Sequence, residues 1–213
     1  MLTTIAFGLS AQKLSFNEDG TFKIMQFTDI HYCHGDARSD TALLLIDRVL
    51  DAERPDLVVF TGDIVIRPVR EGWDRITAPL IEREIPFLVT LGNHDHENGV
   101  TRHEIAAFIT AYPYNMNSPF GASPDRVMDN VIPIYGNKSQ LQEKALVYCF
   151  DSGDYSSMNG VKGYDWITPA QIQWYREQSL FYTIKNNLEP LPAVAYFHIP
   201  LPEYQLALDD EKN

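Results

Sequence analysis

Aspartate, histidine and asparagine recur in this 213-residue chain at three places where a β-prone run ends. Asp29-Ile30-His31 follows the run 24–28, Gly62-Asp63 follows 57–61, and Gly92-Asn93-His94-Asp95 follows 87–91. A fourth apolar run, 193–197, ends at His198. A strand that ends in a carboxylate, imidazole or carboxamide delivers an oxygen or nitrogen donor to the rim of a sheet, and open α/β sheets place their ligands at that carboxyl edge. In Asp29-x-His31 the i and i+2 side chains leave the strand on one side, so both can reach one ion. Oxygen and nitrogen donors without thiolate suit Mn, Fe, Zn or Mg.

The set has the parts of a binuclear site, whose ions stand roughly 3.5–4 Å apart. Asp29 and His31 suit a first ion, and Asn93 (by its carbonyl oxygen) and His198 suit a second. Asp63 suits the bridge, with Gly62 letting the backbone approach. His94 would face the substrate and protonate or stabilise a departing oxygen, and Asp95 would hold that imidazole in orientation. A hydroxide held between two such ions would attack phosphorus in line. The chemistry expected is metal-dependent hydrolysis of a phosphomonoester or small phosphodiester. Its rival is a non-catalytic domain of the same fold that binds ligand or partner without turnover.

Taken singly, Asp63 or Asn93 at a strand end is ordinary turn chemistry, and a histidine closing an apolar strand can be a satisfied core residue. The ordered set points to metal. His34 and His96 read as loop histidines beside the ligands, and His103 as a surface residue at a helix start. Arg126 and Lys138 could steer a phosphate, though such charges are usually just solvated. Trp166, Trp174 and Tyr175 read as packing rather than a binding platform.

Strand and helix signals alternate around these residues. Ser39 can cap a helix carrying Ala42, Leu45, Ile46, Val49 and Leu50 at helical period, stopped before Pro55. A second helix is predicted near 71–84, ended by Pro86. Thr101 with Glu104 makes a capping box ahead of a helix over 105–112. This β-α-β-α-β-α order predicts parallel strands with right-handed crossovers. From 112 to 144 no period holds, and a loop of that length is usually functional or mobile. Strand signals resume at 145–150. Thr168-Pro169-Ala170-Gln171 opens a helix through Leu180 with a capping box and proline at its first position.

Length and a 45% hydrophobic content fit one domain with a sizeable core. The formal net charge of −12, from 29 acidic and 17 basic side chains, argues against a nucleic-acid polymer as partner. The expected partner is a small phosphorylated substrate; oligomeric state is left open. No apolar run approaches a membrane span. Residues 1–21 read as a lead-in whose start resembles the apolar core and small-residue exit of a secretory signal, without a basic n-region. Export from a clipped signal and an ordinary strand in a cytoplasmic protein are both open readings. Cys33 and Cys149 make no disulfide framework, and Cys149 reads as a buried small hydrophobe.

Asp-x-His, Gly-Asp and Gly-Asn-His-Asp, in that order at strand ends, resemble the calcineurin-like metallophosphoesterase superfamily. Two further segments narrow the likeness. They are Phe150-Asp151-Ser152-Gly153-Asp154-Tyr155-Ser156, followed by Gly163-Tyr164-Asp165-Trp166-Ile167, and Ala195-Tyr196-Phe197-His198-Ile199-Pro200-Leu201-Pro202-Glu203. They resemble the branch holding plant inactive purple-acid-phosphatase-like proteins and fungal phosphatase relatives. The resemblance runs from about Phe22 to about Glu203 and implies an α/β fold, a four-layer α/β/β/α sandwich with a dimetal site of divalent or mixed-valence ions. Two departures stand out. True purple acid phosphatases carry a tyrosine ligand where this chain has Ile66, and the superfamily's final Gly-His-x-His is absent before Asn213. On the resemblance, domain 22–213 is expected to be truncated ahead of that motif, each ion short of one imidazole.

Overall fold

The computed structural model describes residues 13–137 and 141–210. Its elements run β1 (Leu14–Ser15), β2 (Ile24–Phe27), β3 (Tyr32–Cys33), α1 (Ala37–Glu53), β4 (Leu57–Thr61), β5 (Val65–Arg67) and α2 (Val69–Glu82). They continue with β6 (Phe87–Thr90), α3 (Arg102–Ile109), β7 (Asn130–Tyr135), β8 (Glu143–Cys149), α4 (Pro169–Lys185), β9 (Ala193–Tyr196) and α5 (Glu203–Asp210). The apolar start of the chain, 1–12, and Lys138 lie outside the described residues.

The three motif-bearing strands form one parallel sheet in the order β2-β4-β6, with Met25 opposite Val58 and Val58 opposite Phe87. Central β4 is buried throughout, as its unbroken Leu-Val-Val-Phe run requires of a strand covered on both faces. Alternate residues serve different layers. Val58, Phe60, Phe87 and Val89 pack with Leu50 of α1, Trp73 and Ile76 of α2, and Ile105 of α3. Leu57, Val59 and Leu88 point the other way, onto Ile134, Val147 and Cys149. The latter belong to a second sheet of order β1-β7-β8-β9, whose far face puts Leu146, Tyr148 and Phe150 against Trp174 and Tyr182 of α4. The result is the expected α/β/β/α stack.

Several local expectations change. The cap of α1 is Asp36, whose side chain accepts the Arg38 N–H, while Ser39 lies inside the helix and accepts the Cys33 N–H at 2.9 Å. Both predicted capping boxes form, at Thr101 and Thr168, and α4 continues to Lys185. The irregular stretch after Tyr112 contains β7. Pro133 hid that strand, since proline argues against an interior ladder position. Among the described residues β1 pairs with Ile134 and Tyr135 alone, so β7 has one neighbouring strand at Pro133 and tolerates it there. β3 and β5 pair with each other and are too short to show a period in sequence. Cys33 and Cys149 are both free thiols, and Cys149 is wholly buried.

Candidate active site

The site is built where the β2 and β4 chains run on past their sheet. The Asp29 N–H donates to the Gly62 carbonyl (3.1 Å), that of His31 to the Asp63 carbonyl (2.9 Å), and that of Tyr32 to the Ile64 carbonyl (2.8 Å). To turn their side chains inward, Asp29, His31 and Asp63 all adopt left-handed backbone, at φ 53°, 48° and 54°. Aspartate accepts that region better than most residues. The two glycines of the motifs answer to crowding. A Cβ on Gly62 would stand 2.5 Å from His198 Nδ1, and one on Gly92 would stand 2.2 Å from Asp63 Oδ1.

Asp63, almost fully buried, is the hub. Its Oδ1 accepts the His94 N–H at 2.8 Å, and its Oδ2 lies 3.4 Å from His198 Nε2 and 3.7 Å from His31 Nε2. His31 Nε2 is also 3.8 Å from Asp29 Oδ1, and His198 Nε2 is 3.2 Å from Asn93 Oδ1. Ligand atoms of Asp29, Asp63 and His198 all fall within 4.8 Å of one another. Burial pushes the Asp63 carboxyl up, but the hydrogen bonds from His198 and the His94 N–H outweigh it and hold the group below the ordinary carboxylate value. For His198, burial lowers the pKa, while Asp63 and the Thr61 carbonyl more than offset that and raise it.

This donor set fits a metal. Most of these nitrogen–oxygen gaps exceed the 2.7–3.2 Å of a good direct hydrogen bond, yet they converge on one volume. His198 Nδ1 lies 2.8 Å from the Thr61 carbonyl oxygen. Donating there fixes the tautomer and frees Nε2, the arrangement usual for a metal-ligating imidazole. Asn93 donates its Nδ2 to the Tyr155 hydroxyl at 3.1 Å, which leaves Oδ1 turned toward His198. The five residues line a cleft of about 460 Å³ together with His94, Thr28, Tyr164 and Phe197.

The structure places His94 at this cleft but gives it a different partner from the one expected. Asp95 is fully buried and accepts backbone N–H groups from Asp63 (2.9 Å), Ile64 (2.8 Å), Val65 (3.2 Å) and Gly92 (2.8 Å). It ties the Gly-Asp loop to the Gly-Asn-His loop and holds no imidazole. Burial pushes its carboxyl up, against the pull of those donors. The partner of His94 is Glu97, whose Oε2 lies 2.7 Å from Nδ1, and that bond first of all raises the imidazole pKa. Sequence reading passed over Glu97, although a residue three positions on in a turn is within reach of a side chain. Tyr155 lay in a segment already singled out and was given no role.

The remaining candidates sit apart from the chemistry. Arg126 is buried and paired with Asp165 at 2.6 Å and Asp125 at 3.1 Å, so it is neither solvated nor free to steer a phosphate. His96 pairs with Asp154 at 2.9 Å, His34 faces the Tyr32 hydroxyl at 3.4 Å, and His103 faces the Pro124 carbonyl. Arg102, also unforeseen, donates to the Gly92 carbonyl at 2.7 Å and pairs with buried Asp151, bracing the Asn93 loop.

A family model described as calcineurin-like phosphoesterase matches residues 22–212. The chain belongs to that family. Among calcineurin-like phosphoesterases it is similar to "Probable inactive purple acid phosphatase 29" of Arabidopsis thaliana, 34% identical over 91% of this chain and 58% of that protein. It is also similar to "Phosphatase DCR2" of Saccharomyces cerevisiae, 30% identical over 91% of this chain and 37% of that protein. The chain thus spans about half the length, or less, of these two relatives. A crystal structure of a dimetal phosphatase from Danio rerio shares the fold at a TM-score of 0.57 and 14% identity, covering 84% of this chain and 70% of that one. No described helix is long and apolar enough to cross a membrane.

Proposed function

We propose that this phosphoesterase-family chain hydrolyses a phosphomonoester or small phosphodiester at the Asp63 cluster. The observation that carries the reading is that His31 and His198 both face Asp63 Oδ2, at 3.7 and 3.4 Å, with Asp29 and Asn93 beside them and His198 Nε2 freed by the Thr61 carbonyl. Asp29 and His31 would hold one ion, Asn93 and His198 a second, and Asp63 would bridge. When bound, two ions supply a water of lowered pKa and offset charge on the phosphoryl group. Asp63 supplies charge at the centre, and its backbone, locked by Asp95, keeps that carboxylate in place. His94 stands at the cleft as the general acid for the leaving oxygen. Tyr164, Phe197 and Pro200 bound the cleft where the organic part of a substrate would rest.

The test is metal uptake joined to turnover. Calorimetric titration with Mn²⁺ should give two sites per chain, and the loaded chain should release p-nitrophenol from its phosphate. Two sites with no turnover of any phosphoester would favour the rival reading of a binding domain. No metal uptake would reject the hydrolytic reading and leave the rival standing.

A further inference from the structure

We infer that Glu97 and Tyr155 are positioning residues that hold the His94 imidazole and the Asn93 amide in one fixed relation at the cleft, an inference that rests on the hydrolytic reading for its chemical meaning.

Four side chains form a hydrogen-bonded chain, with the Glu97–Tyr155 link its longest member. His94 Nδ1 lies 2.7 Å from Glu97 Oε2, Glu97 Oε1 accepts the Tyr155 O–H at 3.3 Å, and Tyr155 accepts from Asn93 Nδ2 at 3.1 Å. An ionised carboxylate only accepts, so the hydrogen on the His94–Glu97 bond belongs to Nδ1. That leaves Nε2 as the one ring nitrogen of His94 free for a substrate, and proton exchange is confined to it. At the other end, an amide that donates Nδ2 to Tyr155 presents Oδ1, and only Oδ1, to the cluster. Tyr155 is itself held by stacking on Tyr164, with ring centroids 5.8 Å apart and planes 21° off parallel. The relay joins loops far apart in sequence, Asn93–Glu97 and the segment around Tyr155, and two of its members, Asn93 and His94, line the cleft. Glu97 is partly exposed, and the described hydrogen bonds of its side chain go only to His94 and Tyr155, so its place in the fold does not account for it.

The deciding measurement is the tautomer of His94, read from ¹⁵N chemical shifts of the imidazole ring in the metal-free chain at alkaline pH, where the ring is neutral. The wild-type ring should carry its hydrogen on Nδ1. Glu97→Ala should lose that state and turn the ring over to Nε2–H, whereas Glu97→Gln, whose amide oxygen still accepts, should keep it. Tyr155→Phe should leave the His94 tautomer in place and shift the Asn93 side-chain amide resonances. A wild-type ring already in the Nε2–H form, or one unchanged by Glu97→Ala, would overturn the assignment. This readout needs no metal or substrate, so it stands or falls apart from the hydrolytic reading. On the Mn²⁺-loaded chain, Glu97→Ala should lower kcat for an alkyl phosphate by up to about 10²-fold, the scale of a misplaced catalytic group. The loss for p-nitrophenyl phosphate, whose leaving group needs little proton help, should be smaller, with KM unchanged. Equal losses on both substrates would also overturn it.

Discussion

The imidazole of His198 fills the space in which Gly62 would carry a side chain. A Cβ there would lie 2.5 Å from Nδ1 and 2.6 Å from Cγ of that ring, and 2.7 Å from the Gly92 backbone nitrogen. Gly62→Ala should therefore fold but push His198 off the Thr61 carbonyl. Mn²⁺ affinity, measured by calorimetry, should fall about 10- to 100-fold, as it does when a partner that orients a ligand is lost. Unchanged affinity would mean that His198 is not a ligand.

Asp63 and His94 are neighbours with separable duties. Asp63→Asn removes the charge that the two proposed ions would share and should lower metal content at both positions in elemental analysis. His94→Ala should leave the metal in place and cut turnover by about 10²–10⁴-fold, the usual contribution of a general acid. A metal-free His94→Ala protein would make His94 a ligand instead.

Asp95 is a structural residue by the same geometry. Asp95→Ala strands four N–H groups in a dry interior, and at least about 3 kcal/mol of unfolding free energy should be lost in urea denaturation. If stability held while turnover alone fell, Asp95 would be the orienting carboxylate after all.

Asp36 caps α1, and the Arg38 side chain, with the Arg38 N–H, holds its carboxyl down to about 2. A carboxyl whose folded pKa is depressed stabilises the fold fully above its unfolded value, about 3.9, and loses that contribution as pH falls through the folded value. The cap should therefore weaken between about pH 4 and pH 2. Because the pair lies at the surface, salt should blunt the effect. An NMR titration of Asp36 should show a midpoint near 2 in low salt that rises in Arg38→Ala. An ordinary midpoint in low salt would dismiss the pairing.

The residues proposed for the site were legible because each sits at the end of a run whose composition already marks a buried strand. Asp29, His31, Asp63, Asn93, His94 and His198 arrive at one cleft by that logic alone. What sequence could not reveal were contacts made by turns. The partner of His94 depended on a loop conformation that turns Glu97 toward Nδ1 and Asp95 inward to four amides. Both are carboxylates within three residues of the histidine, and only backbone direction tells them apart. β7 was hidden for a related reason: Pro133 is admissible only because β1 stops short beside it, a fact set by a segment more than a hundred residues away.

The left-handed backbone at Asp29, His31 and Asp63 also sets the terms on which this chain can be improved. Each such residue costs on the order of 1 kcal/mol relative to a relaxed conformation, and glycine at any of the three would recover part of it. At Asp63 the gain is offset, because its carboxylate accepts the His94 N–H and is favoured in its charged form by its partners. Without metal, the protein should thus melt at a higher temperature when Asp29 or His31 is replaced by glycine. A screen for thermal tolerance alone, run on a library of this chain, would dismantle the centre before it touched the core.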